Sequence, residues 1–388
     1  MAMEKQLHAK ENRSLMSASE RVDVPFLILV LLLLSVGLAM LYSASYAQSE
    51  YDTGYEISTK YLQKQAVCAI IGLFAMYFFS RIPGEAWYFL AWPLYGISIA
   101  LLLSVLVVGE EVNGARRWIN IAGIQFQPSE VAKFTMILLF ARLTKNYGSD
   151  AKDFRYGVLG FGGALMGILV PLALEKHLSA IMLMGMVAVV MMFVAGTSPK
   201  WLLAGAGAAA AFVLVYISFM GYAGDRVTAW LDPQSDPGDT GYQILQSLYA
   251  IGSGGLFGLG YGKSKQKYLY LPFQYNDYIF AIVCEELGLI GALLIIALFA
   301  LTIMRGYWIA LRSSDRFSTV LASGLITLIA VQTILNFGVV TNLLPSTGIA
   351  LPFFSYGGTA LAVNLGEMGI LLSISRQRNR VKKQEASL

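Results

Sequence analysis

Charged residues are scarce in this chain of 388 residues. Asp, Glu, Lys and Arg make up 13% of it, whereas hydrophobic residues make up 56%. A soluble globular domain typically has about a quarter of its residues charged. The composition therefore excludes that class and indicates an integral membrane protein.

Cysteine and histidine are also rare. The two cysteines, Cys68 and Cys284, fall within apolar runs, so neither a disulfide framework nor a cysteine metal cluster is indicated. The two histidines, His8 and His177, are too few for a zinc or haem site built mainly from imidazole.

Ten apolar runs of about 20 residues, the length that crosses a bilayer core, follow one another along the chain. They are 25–45, 62–80, 87–108, 129–145, 156–174, 178–196, 200–220, 277–304, 318–343 and 354–375. We therefore predict an all-α polytopic integral membrane protein with about ten transmembrane helices. The fourth and tenth runs carry charges that a plain hydropathy scan would penalise, namely Glu130, Lys133 and Glu367.

The distribution of basic residues predicts which side each loop faces. Lys and Arg cluster in both termini and in the loops after the fourth and eighth runs. Under the positive-inside rule, residues 1–24 form a cytoplasmic tail, 25–376 the transmembrane domain and 377–388 a cytoplasmic basic tail. The first run has no small-residue cleavage pattern and is predicted to be an uncleaved anchor. The net charge of +4 reflects these clusters beside membrane lipids, and no nucleic-acid partner is indicated.

The longest outward loop, 221–276, lies between the seventh and eighth predicted helices. A loop of this length is typically functional. Its middle, 242–251, predicts a short amphipathic helix at the outer interface, with Gln243 and Ser247 on its polar face. In the glycine-rich stretch that follows, Phe257 stands where a phosphate-binding loop needs its first glycine, so a nucleotide site is not indicated.

Ionisable groups in or beside membrane spans are costly, so each is a candidate functional residue. The first cluster is Arg116, Arg117 and Trp118, in the outward loop after the third span. Paired guanidiniums suit the capture of a phosphate or pyrophosphate. The structural alternative is contact with lipid headgroups, or salt bridges within the loop, beside an interfacial tryptophan.

The second cluster, Gln127, Ser129, Glu130 and Lys133, opens the fourth span. Pro128 fits the first turn of a helix, where Glu130 gains from the positive end of the helix dipole. Glu130 and Lys133 are three residues apart and share a helix face. We expect the pair to face a cavity, and the alternative is an internal ion pair that only neutralises two buried charges.

The third cluster surrounds Asp277, which closes the long polar loop where the apolar run of the eighth span begins. A carboxylate at this boundary can stay ionised and accept a proton, whereas deeper carboxylates should be neutral or paired. On a continuous helix Glu285 would lie within ~80° of Asp277 and Glu286 would point almost opposite, so one of these two could line the same cavity. An N-terminal helix cap is the structural alternative for Asp277.

The fourth cluster is an outward loop, rich in glycine and proline, that runs into the tenth span. Broken backbone of this kind offers free amides to an anionic substrate, provided that it is buried in protein. Alone it would be a turn, and beside the other clusters it would complete a polar wall. Its candidate residues are Pro345, Thr347, Ser355, Tyr356, Gly357 and Gly358.

Together these motifs resemble the SEDS family (shape, elongation, division and sporulation), in its FtsW/RodA-like form. The match runs from roughly 25 to 376, in order, and two further segments look closer to the division and sporulation branch than to the elongation branch. The motifs are Arg117-Trp-Ile-Asn120, Gln127-Pro-Ser-Glu-Val-Ala-Lys133, Lys267-Tyr-Leu-Tyr-Leu-Pro272, Asn276-Asp-Tyr-Ile-Phe280, Glu285-Glu-Leu-Gly288, Leu344-Pro-Ser-Thr-Gly348 and Ser355-Tyr-Gly-Gly358.

The resemblance implies a membrane glycosyltransferase that polymerises lipid II into peptidoglycan strands at the outer face of the bacterial cytoplasmic membrane. Asp277 would deprotonate the acceptor sugar hydroxyl, which attacks the anomeric carbon of the undecaprenyl-linked glycan strand and expels undecaprenyl pyrophosphate. Arg116, Arg117 or Lys133 would offset the leaving-group charge, with or without a divalent cation such as Mg²⁺ or Mn²⁺. Lys267 and Glu285 carry over as substrate-binding candidates.

The resemblance also implies a partner, a class B penicillin-binding protein that acts as a transpeptidase. The chain departs from the family pattern at Lys176-His177, where a Pro-Asp or Pro-His pair is common, and at Pro272-Phe273, where a Pro-Glu pair is common. Two other functions fit the composition. One is a flippase that moves lipid II across the bilayer, and the other is a non-catalytic scaffold for a transpeptidase.

Overall fold

The computed structural model describes residues 22–112, 115–121, 124–205, 207, 226, 228–234 and 240–386. Over these ranges the chain is mainly helical, with one small sheet. The helices are α1 (Val24–Asp52), α2 (Lys60–Phe79), α3 (Gly84–Val108), α4 (Pro128–Tyr147), α5 (Phe161–Leu174), α6 (Leu178–Ala195), α7 (Thr240–Gly254), α8 (Ile279–Leu311), α9 (Arg316–Val340) and α10 (Gly358–Ala386). A 3₁₀ turn (Gly148–Lys152) and a π-helical turn (Arg155–Gly160) lead into α5.

Seven helical segments of the described chain are long and apolar enough to cross a membrane. They are α1, α2, α3, α5 with its preceding π turn, α8, α9 and the part of α10 up to Arg376. Helix α6 is apolar but shorter, and α4 occupies the predicted fourth span while carrying Glu130 and Lys133. The multi-pass helical fold class is thus confirmed. The count of ten stays a prediction, because most of the seventh predicted span, 200–220, lies outside the described residues.

The sheet was not predicted from the sequence. Strands β1 (Glu110–Val112), β2 (Ala115–Ile121) and β3 (Ile124–Phe126) form an antiparallel sheet in that order, after α3. The sequence predicts a loop here. The pairing of β1 with β2 is irregular at Arg117, and the contacts of the two arginines diverge: Arg116 pairs with Glu111, and Arg117 donates to the Lys176 carbonyl.

Helix α9 is buried along most of its length and forms the centre of the helical bundle. It packs against α4, α6, α8 and α10. Asp315 caps its first turn by accepting a hydrogen bond from the Ser318 amide at 3.1 Å. The polar side chains in the second half of α9, towards Val340, are therefore enclosed by protein.

One end of the bundle is joined by an ion pair between the first and eighth helices. Asp23 caps α1, and Arg305 of α8 donates to its carboxylate at 2.9 and 2.8 Å. The Asp23 amide also donates to the Ser375 hydroxyl of α10 at 3.1 Å. The start of α1 and the last turns of α8 and α10 therefore lie at the same end of the bundle.

The predicted helix at 242–251 is confirmed as α7, although its buried face differs from the prediction. Ile244, Ser247 and Ala250 are all buried, three residues apart, because α7 packs against α8. The Ser247 hydroxyl donates to the Val340 carbonyl at 2.8 Å. Apolar contact with a neighbouring helix therefore decides which face is inside.

Helix α8 is interrupted at Gly288, whose φ of 67° is left-handed. Main-chain groups on both sides of this break pair with the loop after α7 instead of with the helix. The Leu259 amide donates to the Glu285 carbonyl at 2.9 Å, and the Leu289 amide donates to the Gly255 carbonyl at 2.9 Å. The break is stable because the loop satisfies the groups that the helix leaves free.

The two glutamates before this break also hold the loop. The Glu285 carboxylate accepts from the Ser264 hydroxyl and from the Lys265 amide, the latter at 2.9 Å. Glu286 pairs with Lys267 at 3.1 Å in surroundings that leave both side chains almost fully buried. Both carboxylates therefore bond the loop, and a substrate contact of Glu285 stays a prediction.

We predict that Gly258→Ala lowers the stability of the protein by about 1–3 kcal/mol. Gly258 has a φ of 78°, and an added Cβ would lie 2.2 Å from the Glu286 carbonyl oxygen. Thermal unfolding of the purified protein in detergent measures the loss. Gly252→Ala is the matched control, since its Cβ would meet nothing within 4 Å. Equal unfolding temperatures for the two variants would contradict the proposed fit of loop and break.

Candidate active site

A polar cavity of about 120 Å³ lies between α4, α6, α9 and α10, beneath the loop 341–357. Its apolar lining comes mainly from the loop and from the first turns of α6. The polar residues that line it are Gln127, Glu130, Lys133, His177, Ser179, Gln332, Ser355, Tyr356 and Asn364. The second and fourth sequence clusters thus meet in one space.

The ion pair predicted on α4 is present and borders this cavity. The Lys133 ammonium lies 2.7 Å from the Glu130 carboxylate, and both side chains are buried. Pro128 occupies the first turn of α4, so Glu130 lies at the positive end of the helix. The pair therefore neutralises two buried charges and lines the cavity, which combines the two alternatives that the sequence left open.

The start of α6 forms another wall, where His177 precedes the first helical residue. Burial, reinforced by the positive charges of Arg117 and Lys133, lowers the pKa of His177 to about 3. The imidazole is therefore neutral at physiological pH. The Ser179 hydroxyl of the same turn donates to the Thr347 carbonyl, which joins α6 to the loop above the cavity.

Asp277 is not itself a lining residue but adjoins the lining residue Gly348, a position that we call the rim of the cavity. A Cβ added to Gly348 would lie 3.9 Å from the Asp277 carboxylate, and Gly348 itself lines the cavity. Burial raises the pKa of Asp277 to about 6, while a main-chain hydrogen bond and the positive charge of Arg226 oppose the rise. A carboxyl with this pKa changes its protonation state close to neutral pH.

Asp277 does not cap α8. The helix begins at Ile279, and Tyr278 occupies the N-cap position without a side-chain cap. The alternative role that the sequence suggested for Asp277 is thus wrong. Its carboxylate is free of the helix end and partly exposed at the cavity rim.

The fourth cluster contacts the main chain that leads to Asp277. The Ser355 hydroxyl donates to the Asn276 carbonyl at 2.6 Å, and the Tyr356 amide donates to the Tyr275 carbonyl at 2.9 Å. Gly357 donates from its amide to the Gln65 side chain at 3.1 Å. At Gly358 an added Cβ would lie 2.4 Å from the Cys68 sulfur, so α10 starts in close contact with α2.

The structure separates the two arginines of the first cluster. Arg116 points outward and pairs with Glu111 at 3.6 Å. Arg117 points inward and donates to the Lys176 carbonyl at 2.5 Å, beside Glu175, which is buried. Burial raises the pKa of Glu175 to about 8, and Arg117 opposes that rise. The Arg117 guanidinium therefore lies next to the cavity wall, and the Arg116 guanidinium does not.

Other predicted binding residues lie outside the cavity lining. Gln243 donates to the Pro272 carbonyl at 3.0 Å, and Lys267 donates to the Gly262 carbonyl at 2.6 Å. Ser129 is buried behind the wall of α4, and Trp118 and Pro345 are partly exposed. Substrate contacts for these residues stay predictions, as they do for Ser247 and Glu285.

Sequence reasoning did not select three polar residues of the inner walls. Gln332 and Asn336 lie four residues apart on α9, and Asn364 lies on α10. All three are buried, and Gln332 and Asn364 line the cavity. The signal was available, since polar residues inside an apolar span are costly whether or not they are charged.

The fold and the site define a class of protein: a multi-pass membrane protein with a buried polar cavity and a carboxylate of raised pKa at the cavity rim. The chain belongs to the FTSW_RODA_SPOVE family, described as "Cell cycle protein", whose family model matches residues 24–380. The resemblance seen in the sequence motifs is thereby confirmed.

Two relatives with known names cover nearly the whole chain. The chain is 39% identical to "Probable peptidoglycan glycosyltransferase FtsW" of Geobacter metallireducens, over 92% of this chain and 95% of that protein. It is also 39% identical to "Stage V sporulation protein E" of Bacillus subtilis, over 91% of this chain and 97% of that protein. Both names agree with a closer resemblance to the division and sporulation branch.

Two solved structures share the fold. One, described as "Structural coordination of polymerization and crosslinking by a peptidoglycan synthase complex", has a TM-score of 0.78 and 28% identity, covering 92% of this chain and 98% of that chain. The other, the rod shape determining protein RodA of Thermus thermophilus, has a TM-score of 0.68 at the same identity and coverage. The arrangement of helices around the cavity is therefore common to proteins of known structure.

We predict that Lys133→Met destabilises the protein by roughly 3–5 kcal/mol, because it leaves the Glu130 carboxylate buried without its counter-charge. The double variant Lys133→Met/Glu130→Gln should lose less than the sum of the two single variants. Equilibrium unfolding in detergent or mixed micelles gives the three values. Strictly additive losses would contradict direct pairing across the 2.7 Å contact.

Proposed function

We propose that this chain is a peptidoglycan glycosyltransferase, multi-pass in the bacterial cytoplasmic membrane, that polymerises lipid II into glycan strands at the outer membrane face. Peptidoglycan glycosyltransferase is the activity in the name of the Geobacter relative. The observation that carries the proposal is the carboxylate of Asp277, with a pKa of about 6, at the rim of a polar cavity within the family's fold.

In the proposed reaction Asp277 is the general base. Its carboxylate takes the proton from the acceptor sugar hydroxyl as that oxygen attacks the anomeric carbon of the strand. The bond from this carbon to the pyrophosphate oxygen breaks, and undecaprenyl pyrophosphate leaves with the electron pair. A base works best when its pKa is near the operating pH, and a value of about 6 satisfies that condition.

The leaving pyrophosphate carries negative charge that the site has to offset. Lys133 is the cation that lines the cavity itself, and Arg117 lies at its wall. Preorganised positive charge in a site of low dielectric stabilises such a developing anion. We assign the stabilisation of the leaving pyrophosphate to Lys133 and Arg117. Arg116 is not assigned this role, because it points outward and pairs with Glu111.

A divalent cation such as Mg²⁺ or Mn²⁺ remains part of the proposal. The described residues contain no group of three or more acidic, histidine or cysteine side chains that could hold a metal. Mg²⁺ is commonly bound by one or two carboxylates together with substrate phosphates. The substrate pyrophosphate would supply most of the ligands of such a cation, because Asp277 is assigned to proton transfer.

We infer ten spans with both termini in the cytoplasm, so that the loop 221–276 and Asp277 face outward. The contacts of Asp23 with Arg305 and Ser375 support this sidedness, because they group the ends that carry the predicted cytoplasmic charge. The contact of Tyr88 with Asn146 at 2.6 Å does the same for α3 and α4. The domain limits 1–24, 25–376 and 377–388 belong to the same proposal.

The proposed partner is a class B penicillin-binding protein acting as transpeptidase. A structural neighbour belongs to a complex described as coordinating polymerization and crosslinking. A transpeptidase is the enzyme that would cross-link the strands made by this chain. Lipid II and the undecaprenyl-linked strand are then the substrates, and membrane lipids surround the bundle.

We predict that Asp277→Asn lowers polymerisation by roughly 10²–10⁴-fold, the usual contribution of a general base. The measurement is the glycan product on a gel, made from lipid II by protein reconstituted with its transpeptidase. Asp232→Asn is the control, because the Asp232 carboxylate accepts from the Gln234 amide in an exposed part of the outer loop. Full polymerisation by Asp277→Asn would remove Asp277 as the base.

The same reconstitution decides between the functions. Absence of polymer from the wild type would contradict the glycosyltransferase. Movement of labelled lipid II across the vesicle membrane without polymer would indicate the flippase, and binding of the transpeptidase without either activity would indicate the scaffold.

We predict an acidic limb near pH 6 in the pH profile of kcat/KM. The base is active when deprotonated, so kcat/KM should fall about tenfold for each pH unit below the pKa of Asp277. Arg226→Gln removes a positive charge that lowers this pKa and should move the limb to higher pH. A profile that stays flat down to about pH 4.5 would contradict Asp277 as a base with raised pKa.

A further inference from the structure

Asn336, on the central helix α9, makes two hydrogen bonds outside its own helix. Its side chain is 1% exposed, and its amide nitrogen donates to the Asp277 carbonyl at 2.6 Å and to the Ile349 carbonyl at 2.9 Å. A primary amide has two N–H donors, so both are used. The opposite orientation would place the amide oxygen against two carbonyl oxygens, so these contacts fix which way the amide points.

The two carbonyls belong to the two segments that form the cavity rim. Asp277 carries the proposed base, and Ile349 follows Gly348 in the loop that lines the cavity. Neither segment is helical at these residues, so regular helix hydrogen bonding does not fix their separation. One buried side chain therefore bridges the two segments directly.

The neighbouring contacts hold the residues before Asp277 in the same way. Ser355 bonds the Asn276 carbonyl, and Tyr356 bonds the Tyr275 carbonyl. Those contacts come from the loop itself, which is irregular between α9 and α10. Asn336 differs because it lies within a regular helix that other helices surround.

Comparison along α9 shows that the arrangement is particular to Asn336. Thr333, one turn earlier, is equally buried, but its hydroxyl donates to the Ile329 carbonyl of its own helix at 2.8 Å. A buried polar side chain on α9 can thus be satisfied locally. The Asn336 amide instead donates both of its hydrogen bonds to main-chain carbonyls at the rim, those of Asp277 and Ile349.

We propose that Asn336 is a positioning residue that fixes the main chain of Asp277 relative to the cavity wall at Gly348 and Ile349. This inference rests on the proposed function, because Asn336 acts through the base and touches no substrate. A rim residue displaced by about 1 Å can cost about 10²-fold in rate. Loss of the two hydrogen bonds should therefore lower kcat more than it changes KM.

The test compares the wild type with two variants that lose the amide donors at position 336. The full chain, reconstituted with its transpeptidase and lipid II, should lose about 10²-fold in kcat with Asn336→Leu. The side chain of Asn336→Ser is too short to reach the two carbonyls, and its hydroxyl can bond a carbonyl of its own helix as Thr333 does, so this variant should give a similar loss. KM should change less than about threefold, since ground-state binding is not removed. Thr333→Val is the matched control and should keep the wild-type kcat.

A second measurement does not depend on activity. Hydrogen exchange at the amides of residues 275–281 should become faster in Asn336→Leu and stay unchanged in Thr333→Val. Exchange reports local opening of the segment that Asn336 holds. It also separates local release of this segment from a general loss of structure, in which amides throughout α9 would exchange faster.

The outcomes are distinguishable. Absence of polymer from the wild type contradicts the proposed function, while the exchange measurement still tests the hydrogen bonds. An active wild type together with unchanged kcat in Asn336→Leu overturns the positioning role. Equal losses of kcat in Asn336→Leu and Thr333→Val also overturn it, as does uniformly faster exchange. If Asn336→Leu does not fold, Asn336→Ser decides by the same criteria.

Discussion

Main-chain polar groups within a bilayer have to find partners inside the protein, and the irregular parts of this structure depend on that constraint. Helix α8 can break at Gly288 because the loop after α7 pairs with the groups on both sides of the break. The loop between α9 and α10 can leave regular structure because Ser179, Asn336 and Ser355 bond main-chain carbonyls in or beside it. In both places the irregular backbone is met by polar groups of other segments of the protein.

The same constraint explains how the charges are arranged. Lys133 pairs with Glu130, Lys267 with Glu286 and Arg305 with Asp23, each at 3.1 Å or less. Buried ion pairs contribute little net stability against apolar residues of equal volume, but breaking one leaves a costly single charge. Asp277 differs from these carboxylates, because Arg226 is near enough to lower its pKa and burial still raises that pKa to about 6. These three carboxylates are paired closely, whereas Asp277 can exchange a proton near neutral pH.

The sequence predicted the fold class and much of the site, because the cost of polar groups in lipid makes them conspicuous. Glu130 with Lys133, and the loop with Ser355 and Tyr356, were selected on that ground and do meet in one cavity. The angle predicted between Asp277 and Glu285 does not apply, because α8 begins at Ile279 and Asp277 is not helical, while the loop after α7 bonds the Glu285 carboxylate. Helical geometry cannot anticipate contacts made by a segment that is distant along the chain.

Arg116 and Arg117 show the complementary failure. Adjacent guanidiniums on a loop can converge on one phosphate, whereas the contacts in the sheet hold Arg116 and Arg117 apart. The strand forms because β1 and β3 pair with it, which the sequence of β2 alone does not specify. Its consequence is functional: one arginine pairs with Glu111 at the surface, and the other lies beside Glu175 and His177. Because of the sheet, Arg116 lies at the surface and Arg117 lies beside the cavity wall. The imidazole of His177 is neutral mainly because it is buried, and the positive charges of Arg117 and Lys133 lower its pKa further.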